Sequence, residues 1–534
     1  MRNLAVELRS NETMPFHYAQ PLLFARCWPM LVAGCLAACG GGGSGGIGGG
    51  GTSGTTPPPR GTLLNTPSPL TVTAPALLIE LNLATNAQLL GLSGNPVCDV
   101  LIYSVEYETV GGANEPTTAS AALMVPSGLG SSCTGARPIV LYAHGTTTDK
   151  SFTMTNMQNA ETLFLAALFA TKGYIVVAPN YAGFDTSTLP YHPYLVAEQQ
   201  SDDMIDALTA TRTALPLASA TLTKDDGRLF ITGYSQGGYV AMATHRAMQA
   251  AGMTVTASAP MSGPYALAAF VDAVFYGEVN GDGPVAATLL VEGYQNSYGN
   301  LFSEPTQVFA PQYASGILTL LPSTTPRSDL YAQGKLPEYA LFSSTPPAAQ
   351  YADITPPTTP ADLAEVFAFG FGADALIENS YRLSYLEDAA ANPDGGFPTD
   401  TTGLAAPTPA LPLRADLRLN DLRDWSPSVP LQLCGGDEDP TVFWMNAQLM
   451  QAYWSTHANA APIGVLDLEA PVAANDPYAS LKNGFELAKQ LVADQAVAQG
   501  ATDGGALAVA EAYHATLVAP FCFAATKAFF DSHP

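Results

Sequence analysis

Gly233-Tyr234-Ser235-Gln236-Gly237 sets a serine between two glycines, directly after the apolar run Leu229-Phe230-Ile231-Thr232 and directly before a helical pattern, Gln236 to Ala251. A serine hydroxyl is a weak nucleophile until a neighbouring base takes its proton. A tight strand–turn–helix can hold it exposed, and glycines on either side let strand and helix approach closely. The pattern alone says little, because Gly42-Gly43-Ser44-Gly45-Gly46 repeats it in a glycine-rich stretch with no strand before it.

The base must come from 7 histidines. His17 lies in the leading segment, His144 and His192 precede the serine, His245 rides on the helix after it, and His533 is next to last. His457 falls at the far end of a helix, roughly 20 Å from the strand tips at 1.5 Å per residue. That leaves His514, placed in a loop just before a closing helix. The acid belongs on Gly435-Gly436-Asp437-Glu438-Asp439-Pro440. Asp439 stands three residues before Val442, which is expected to open a helix, and Asp437 is the alternative. A serine, a histidine and a carboxylate in this chain order suit nucleophilic acyl transfer, the acid fixing the imidazole tautomer. The oxyanion would be held by the amides of Gln236 and of Thr146, which follows the strand-ending pair His144-Gly145.

Those residues need a scaffold of alternating strands and helices. Leu101–Thr109 and Thr117–Val125 read as an antiparallel edge pair around Gly111-Gly112. Strands follow at 137–143, 174–179, 228–232 and 254–259, with helices at 157–171, 197–215 and 236–251. Repeated β-then-α order predicts an α/β fold, a mostly parallel central sheet with helices on both faces. The rhythm breaks for about 160 residues after Tyr265, a stretch too long to be a loop. It is rich in Phe, Tyr and Leu and punctuated by Pro, and is expected to be a helical cap. Strands resume at 430–434 and 463–468. The expected division is 1–38 signal, 39–75 tether, 76–265 first core part, 266–425 cap and 426–534 second core part.

Composition narrows the class. Apolar residues make up 47% of the 534 and charged ones 12%, enough for a large core. Lys and Arg number 20 against 46 Asp and Glu, a net charge of −26, which disfavours nucleic acid as a partner. The short apolar run Trp28–Ala38 after Arg26 suits a signal peptide, and Leu36-Ala37-Ala38-Cys39 suits a lipoprotein signal with Cys39 lipidated; Val32-Ala33-Gly34-Cys35 is the alternative. Glycines from 40 to 51 then form a tether. The expected location is exported: an outer-membrane lipoprotein or the cell surface, otherwise secreted or periplasmic. Downstream, no run of about 18 consecutive apolar residues predicts a membrane span.

Four cysteines remain beyond the signal, an even number that suggests two disulfides. Acid and base must meet, so Cys434 and Cys522, just behind them, are expected to pair, leaving Cys98 with Cys133. No spacing suggests a metal site, and no cofactor is expected.

Tyr142-Ala143-His144-Gly145-Thr146, Ala178-Pro179-Asn180-Tyr181-Ala182-Gly183, Tyr191-His192-Pro193-Tyr194-Leu195, Gly233-Tyr234-Ser235-Gln236-Gly237-Gly238 and Gly436-Asp437-Glu438-Asp439 together resemble the secreted lipase and esterase group of α/β-hydrolases. The resemblance spans roughly Leu101 to Pro534. It implies cofactor-free hydrolysis of carboxylic esters, lipid or polyester, with a cap between the sixth and seventh strands over the acyl pocket. A serine peptidase on the same fold and a surface-anchored binding protein without catalysis stay open as alternatives.

Overall fold

A computed structural model of the protein describes residues 58–83, 87–218, 222–394, 408–457 and 461–533. The expected signal, Cys39, and the tether up to residue 57 lie outside the described residues.

The strands, in chain order, are β1 (Pro69–Val72), β2 (Asp99–Val110), β3 (Pro116–Ser127), β4 (Gly135–Ala143), β5 (Ile175–Pro179), β6 (Thr223–Tyr234), β7 (Ala257–Met261), β8 (Phe342–Ser343), β9 (Phe371–Gly372), β10 (Leu431–Gly435) and β11 (Ile463–Asp467). Nine of them form one sheet in the order β1-β2-β3-β5-β4-β6-β7-β10-β11, with β8 and β9 pairing apart. From β5 to β11 every pairing in this sheet is parallel; β1, β2 and β3 run antiparallel to their neighbours. Parallel neighbours need crossovers, here the helices Ala160–Leu168, Ala197–Ala214, Gln236–Ala250 and Met445–Thr456.

Both faces of the sheet are buried, so the central strands read as nearly continuous apolar runs. Ile139 and Leu141 of β4 face one core with Tyr103, Val177 and Ile231; Val140 and Tyr142 face the other with Met124, Phe230 and Phe523. The first core also takes in Val271, Phe275, Leu289, Tyr294, Leu341 and Leu376 from the long insertion between β7 and β10. The insertion therefore folds as part of the main core. It carries the helices Leu267–Phe275, Gly283–Tyr298, Asn379–Ala391 and Pro412–Leu419 together with the β8–β9 pair. Its buried polar ties are strong: Arg414 bridges Asp272 at 2.8 Å and Asp388 at 2.9 Å, and Arg423 bridges Asp394 and Asp421, each at 2.7 Å.

Several sequence expectations need correction. The β2–β3 pair is not the sheet edge, because β1 lies outside β2, pairing Pro69–Val72 with Val100–Tyr103. That strand falls in the span expected as tether. It was illegible because an edge strand tolerates proline and need not be apolar. Arg60 ties the same span to the core, 3.0 Å from Asp206, and Thr73 caps the helix Ala74–Leu81. β6 begins five residues before the expected start, its polar Thr223-Lys224-Asp225 pairing with Gly135–Arg137 ahead of a register shift. One helical run, residues 506–531, is long and apolar enough by length and composition to cross a bilayer, with mean hydropathy 1.4. Glu511, His514 and Lys527 interrupt its apolar stretches, so a count of consecutive apolar residues misses it. Here it carries Phe521, Cys522, Phe523 and Phe530 into the core.

Candidate active site

Ser235 occupies the turn between β6 and the helix Gln236–Ala250 with φ 60° and ψ −121°. A non-glycine residue pays on the order of 1–3 kcal/mol for such a conformation, so its surroundings must hold it. The Ser235 amide donates to Met261 O at 3.0 Å, and its carbonyl accepts from Gly238 N at 2.9 Å. Around it the backbones nearly touch: a Cβ on Gly237 would run into the Ala143 carbonyl, and one on Gly233 into that of Gly237.

His514 Nε2 lies 2.8 Å from Ser235 Oγ, and its Nδ1 lies 2.7 Å from Asp439 Oδ2. A carboxylate only accepts, so Nδ1 carries the hydrogen and Nε2 offers its lone pair to the serine. Asp439 is buried, and its other oxygen accepts the Thr441 and Val442 amides at 2.9 and 3.1 Å. Val442 does not open a helix as expected; the helix starts at Met445, and Asp439 instead organises the turn before it. Asp437 is exposed. Its amide donates to Asp467 Oδ1 at 3.1 Å.

His514 is not in a loop. It sits in a π-helical turn, Tyr513–Val518, between the helices Ala506–Ala512 and Ala519–Asp531. Such widened turns inside helices often mark functional positions. The sequence hid it, because Pro520 reads equally well as the first turn of a new helix. The Tyr234 hydroxyl donates to the His514 carbonyl, fastening this turn to the residue before Ser235.

The loop after β4 is held by a residue the sequence reading missed. Glu161 Oε1 accepts the Gly145 amide at 2.9 Å and the Tyr142 hydroxyl at 2.6 Å. With the Gly145 amide so used, Thr146 offers the next N–H of the loop, and its hydroxyl lies 2.8 Å from that of Tyr194. The Gln236 amide is among the first of its helix, which have no intrahelical acceptor and sit at the positive end of the macrodipole. The Gln236 side chain donates to His192 Nε2 at 2.7 Å, while His192 Nδ1 donates to Ala182 O at 3.0 Å. Burial lowers His192 to about 3 and His144 to about 4, so both stay neutral. No contiguous motif links Glu161 to the site in sequence, whereas His192 belongs to the run Tyr191-His192-Pro193-Tyr194-Leu195 that carries part of the resemblance.

The cysteines close in two pairs. Cys98–Cys133 has Cα atoms 5.4 Å apart, and Cys434–Cys522 has them 5.6 Å apart. Among the described residues no group of three or more His, Cys, Asp or Glu could hold a metal ion.

Comparison with known proteins places this geometry. A secretory lipase family model matches residues 148–257. The rice cell wall degrading esterase LipA from Xanthomonas oryzae superposes with a TM-score of 0.59 at 27% identity, covering 77% of this chain and 91% of its own. The chain is an α/β-hydrolase of the secreted lipase and esterase type. A putative hydrolase from Legionella pneumophila shares the fold at TM-score 0.58 and 18% identity, over 88% of this chain and 98% of its own. No curated protein matches the sequence. The α/β-hydrolase is thus a carboxylic-ester hydrolase, and the secretory family together with two disulfides marks it as exported.

A buried carboxyl in the hydrolase's insertion yields a stability prediction. Glu292 on the helix Gly283–Tyr298 is buried, neither oxygen has a well-placed hydrogen-bond partner, and burial raises it to about 9 against an ordinary 4.5. The Leu321 amide and Lys150 offset that only in part. Between those values the folded state keeps a proton the unfolded state has lost, so stability falls as pH rises from 4.5 through 9. Glu292→Gln removes that slope and should stabilise the protein by about 2 kcal/mol or more at pH 8, with little gain at pH 5. Urea midpoints at the two pH values check this; an equal gain at both would contradict it.

Proposed function

We propose that the hydrolase cleaves apolar carboxylic esters through an acyl-enzyme on Ser235, with His514 as general base and Asp439 as the acid that orients it. The single observation carrying this reading is His514 spanning Ser235 at 2.8 Å and Asp439 at 2.7 Å. His514 takes the serine proton as Oγ attacks the ester carbonyl; the amides of Thr146 and Gln236 receive the negative oxygen; the alcohol leaves with the proton from His514. Water then repeats the sequence on the acyl-enzyme. Each amide donor is worth about a hundred- to a thousandfold in rate. The similar LipA, described as degrading rice cell wall, supports ester groups of larger or polymeric substrates alongside lipids. The insertion between β7 and β10 acts as the cap over the acyl pocket, and Cys39 carries a lipid anchor that tethers the enzyme to a membrane at the cell exterior.

A fluorophosphonate probe should label Ser235 in the native protein, and initial rates should favour p-nitrophenyl esters with apolar acyl groups across a panel from acetate to palmitate plus one insoluble polyester. Label on another residue, or faster cleavage of chromogenic peptides than of any ester, would replace this reading with the peptidase one.

A further inference from the structure

Behind the acid and the base lies a charged cluster that the reaction itself does not use. Glu469, just after β11, accepts the Tyr513 hydroxyl at 2.7 Å. Both of its oxygens also accept from Lys489 Nζ at 2.6 Å. Lys489 comes from the helix Ala479–Ala498 and lies 3.6 Å from Glu438 and 3.2 Å from Glu486. Glu438 is the neighbour of Asp439, and Tyr513 is the neighbour of His514. The Tyr513 ring also lies against Gly436, where a Cβ would strike its hydroxyl. Phe485, fully buried, packs edge-on against Tyr513 at 5.7 Å, with the Lys489 ammonium 5.2 Å from the Phe485 ring. Lys489 and Glu469 are mostly buried, with 13% and 15% of their side chains exposed. Burial disfavours the charge on Lys489, yet Glu469, Glu486 and Glu438 together more than offset this and raise it.

We propose that Lys489 and Glu469 are positioning residues which hold the acid loop and the π-turn of the base in register, the ammonium joining Glu438 to Glu469 and the carboxylate joining Lys489 to Tyr513. The proposal rests on the assignment of Asp439 and His514 as acid and base. One ammonium balances carboxylates that would otherwise crowd the base. The other charged or titratable groups around His514 are Tyr513 and Glu511 on its own helical run, Tyr234 at the end of β6, and Asp437, Glu438 and Asp439 after β10. Asp467 follows on β11, Glu486 lies on the helix of Lys489, and Tyr339, Glu338 and Asp362 approach from the insertion. Removing the ammonium leaves this set more negative and favours imidazolium; neutralising Glu469 does the reverse.

The test is the pH profile of kcat/KM for p-nitrophenyl butyrate on the full chain. Lys489→Met should raise the acid limb by about half a pH unit, and Glu469→Gln should lower it by a similar amount, as expected for one nearby unit charge in a partly screened site. Lys489→Met should also cut kcat about tenfold with KM within about twofold, since small displacements of reacting groups are costly. Lys489→Arg keeps the charge and should stay within about twofold of the parent. Lys482→Met serves as control: Lys482 lies about two turns before Lys489 on the same helix and pairs at 2.8 Å with Asp476, which precedes that helix, so its loss should leave the profile unmoved. Opposite shifts in the two cluster variants support the proposal. Shifts in one direction only, or profiles matching Lys482→Met, overturn it, and if Lys489→Met fails to fold then Glu469→Gln against Lys489→Arg decides by the same limb. Retained esterase activity in Ser235→Ala would instead overturn the assignment of the site, leaving the two failures distinguishable.

Discussion

Asp439→Asn should leave the hydrolase folded and lower kcat on p-nitrophenyl esters about ten-thousand-fold, because an amide at this position can donate to Nδ1 and so favours the wrong imidazole tautomer. Ser235→Ala and His514→Ala should each lose about a millionfold, and the two together little more, since the groups act as one unit. Asp437→Asn, in contrast, should stay within about threefold: the Asp437 backbone is tied to Asp467, and Asp439 is the residue in contact with His514. Steady-state rates with matched melting curves check the set. An inactive Asp437→Asn beside an active Asp439→Asn would exchange the two carboxylates in the reading.

The second large effect concerns the bridge between Cys434 and Cys522. It closes 88 residues of chain, and in the chain-entropy picture its loss should cost about 4.5 kcal/mol. Cys98–Cys133 closes 35 residues, for which the same picture gives about 3.8 kcal/mol. The two differ more in what they restrain. Cys434 directly precedes Gly435-Gly436 of the acid loop, and Cys522 lies in the helix that follows the His514 turn. Titration with a thiol reductant should therefore lower kcat before near-ultraviolet circular dichroism reports unfolding. Coincident loss of the two signals, with Cys434→Ala/Cys522→Ala no less stable than Cys98→Ala/Cys133→Ala, would refute the prediction.

How much of this was legible in sequence depended on the kind of signal. Ile139–Ala143 and Ile175–Pro179 announced themselves because a parallel strand buried on both faces must be apolar throughout. The turn at Ser235 was legible because only glycine fits where strand and helix backbones nearly touch. β1 was silent: its residues are mostly exposed, and Pro69 argued against a strand. The π-turn at His514 was also silent, since Pro520 reads equally well as the first turn of a new helix and the hydrogen bond of the Tyr234 hydroxyl to the His514 carbonyl comes from far away in the chain. Glu161, Glu469 and Lys489 belong to no local pattern. They matter only through partners brought together by the sheet, and a motif cannot encode a partner more than a dozen residues away. The insertion reads as a cap because its pattern differs from the core, and Phe275, Tyr294 and Leu341 seat it on that core by packing into the same apolar cluster as Ile139 and Ile231.

The helix Ala519–Asp531 packs against Ala87–Ser93 and Ala160–Leu168, elements formed from the opposite end of the described chain. During synthesis the strand and turn bearing Ser235, and later the loop bearing Asp439, emerge well before residue 514. Until the closing helix docks, the face of the sheet that carries Tyr142 and Phe230 is only partly covered, a sticky surface of the kind that invites association with other chains. On the proposed assignment the same ordering leaves the nascent enzyme latent, because Ser235 and Asp439 wait without His514 until the last helical run arrives. Activity in this molecule is thus a report of completed folding, and a helper that shields one apolar face would act on yield without touching the chemistry.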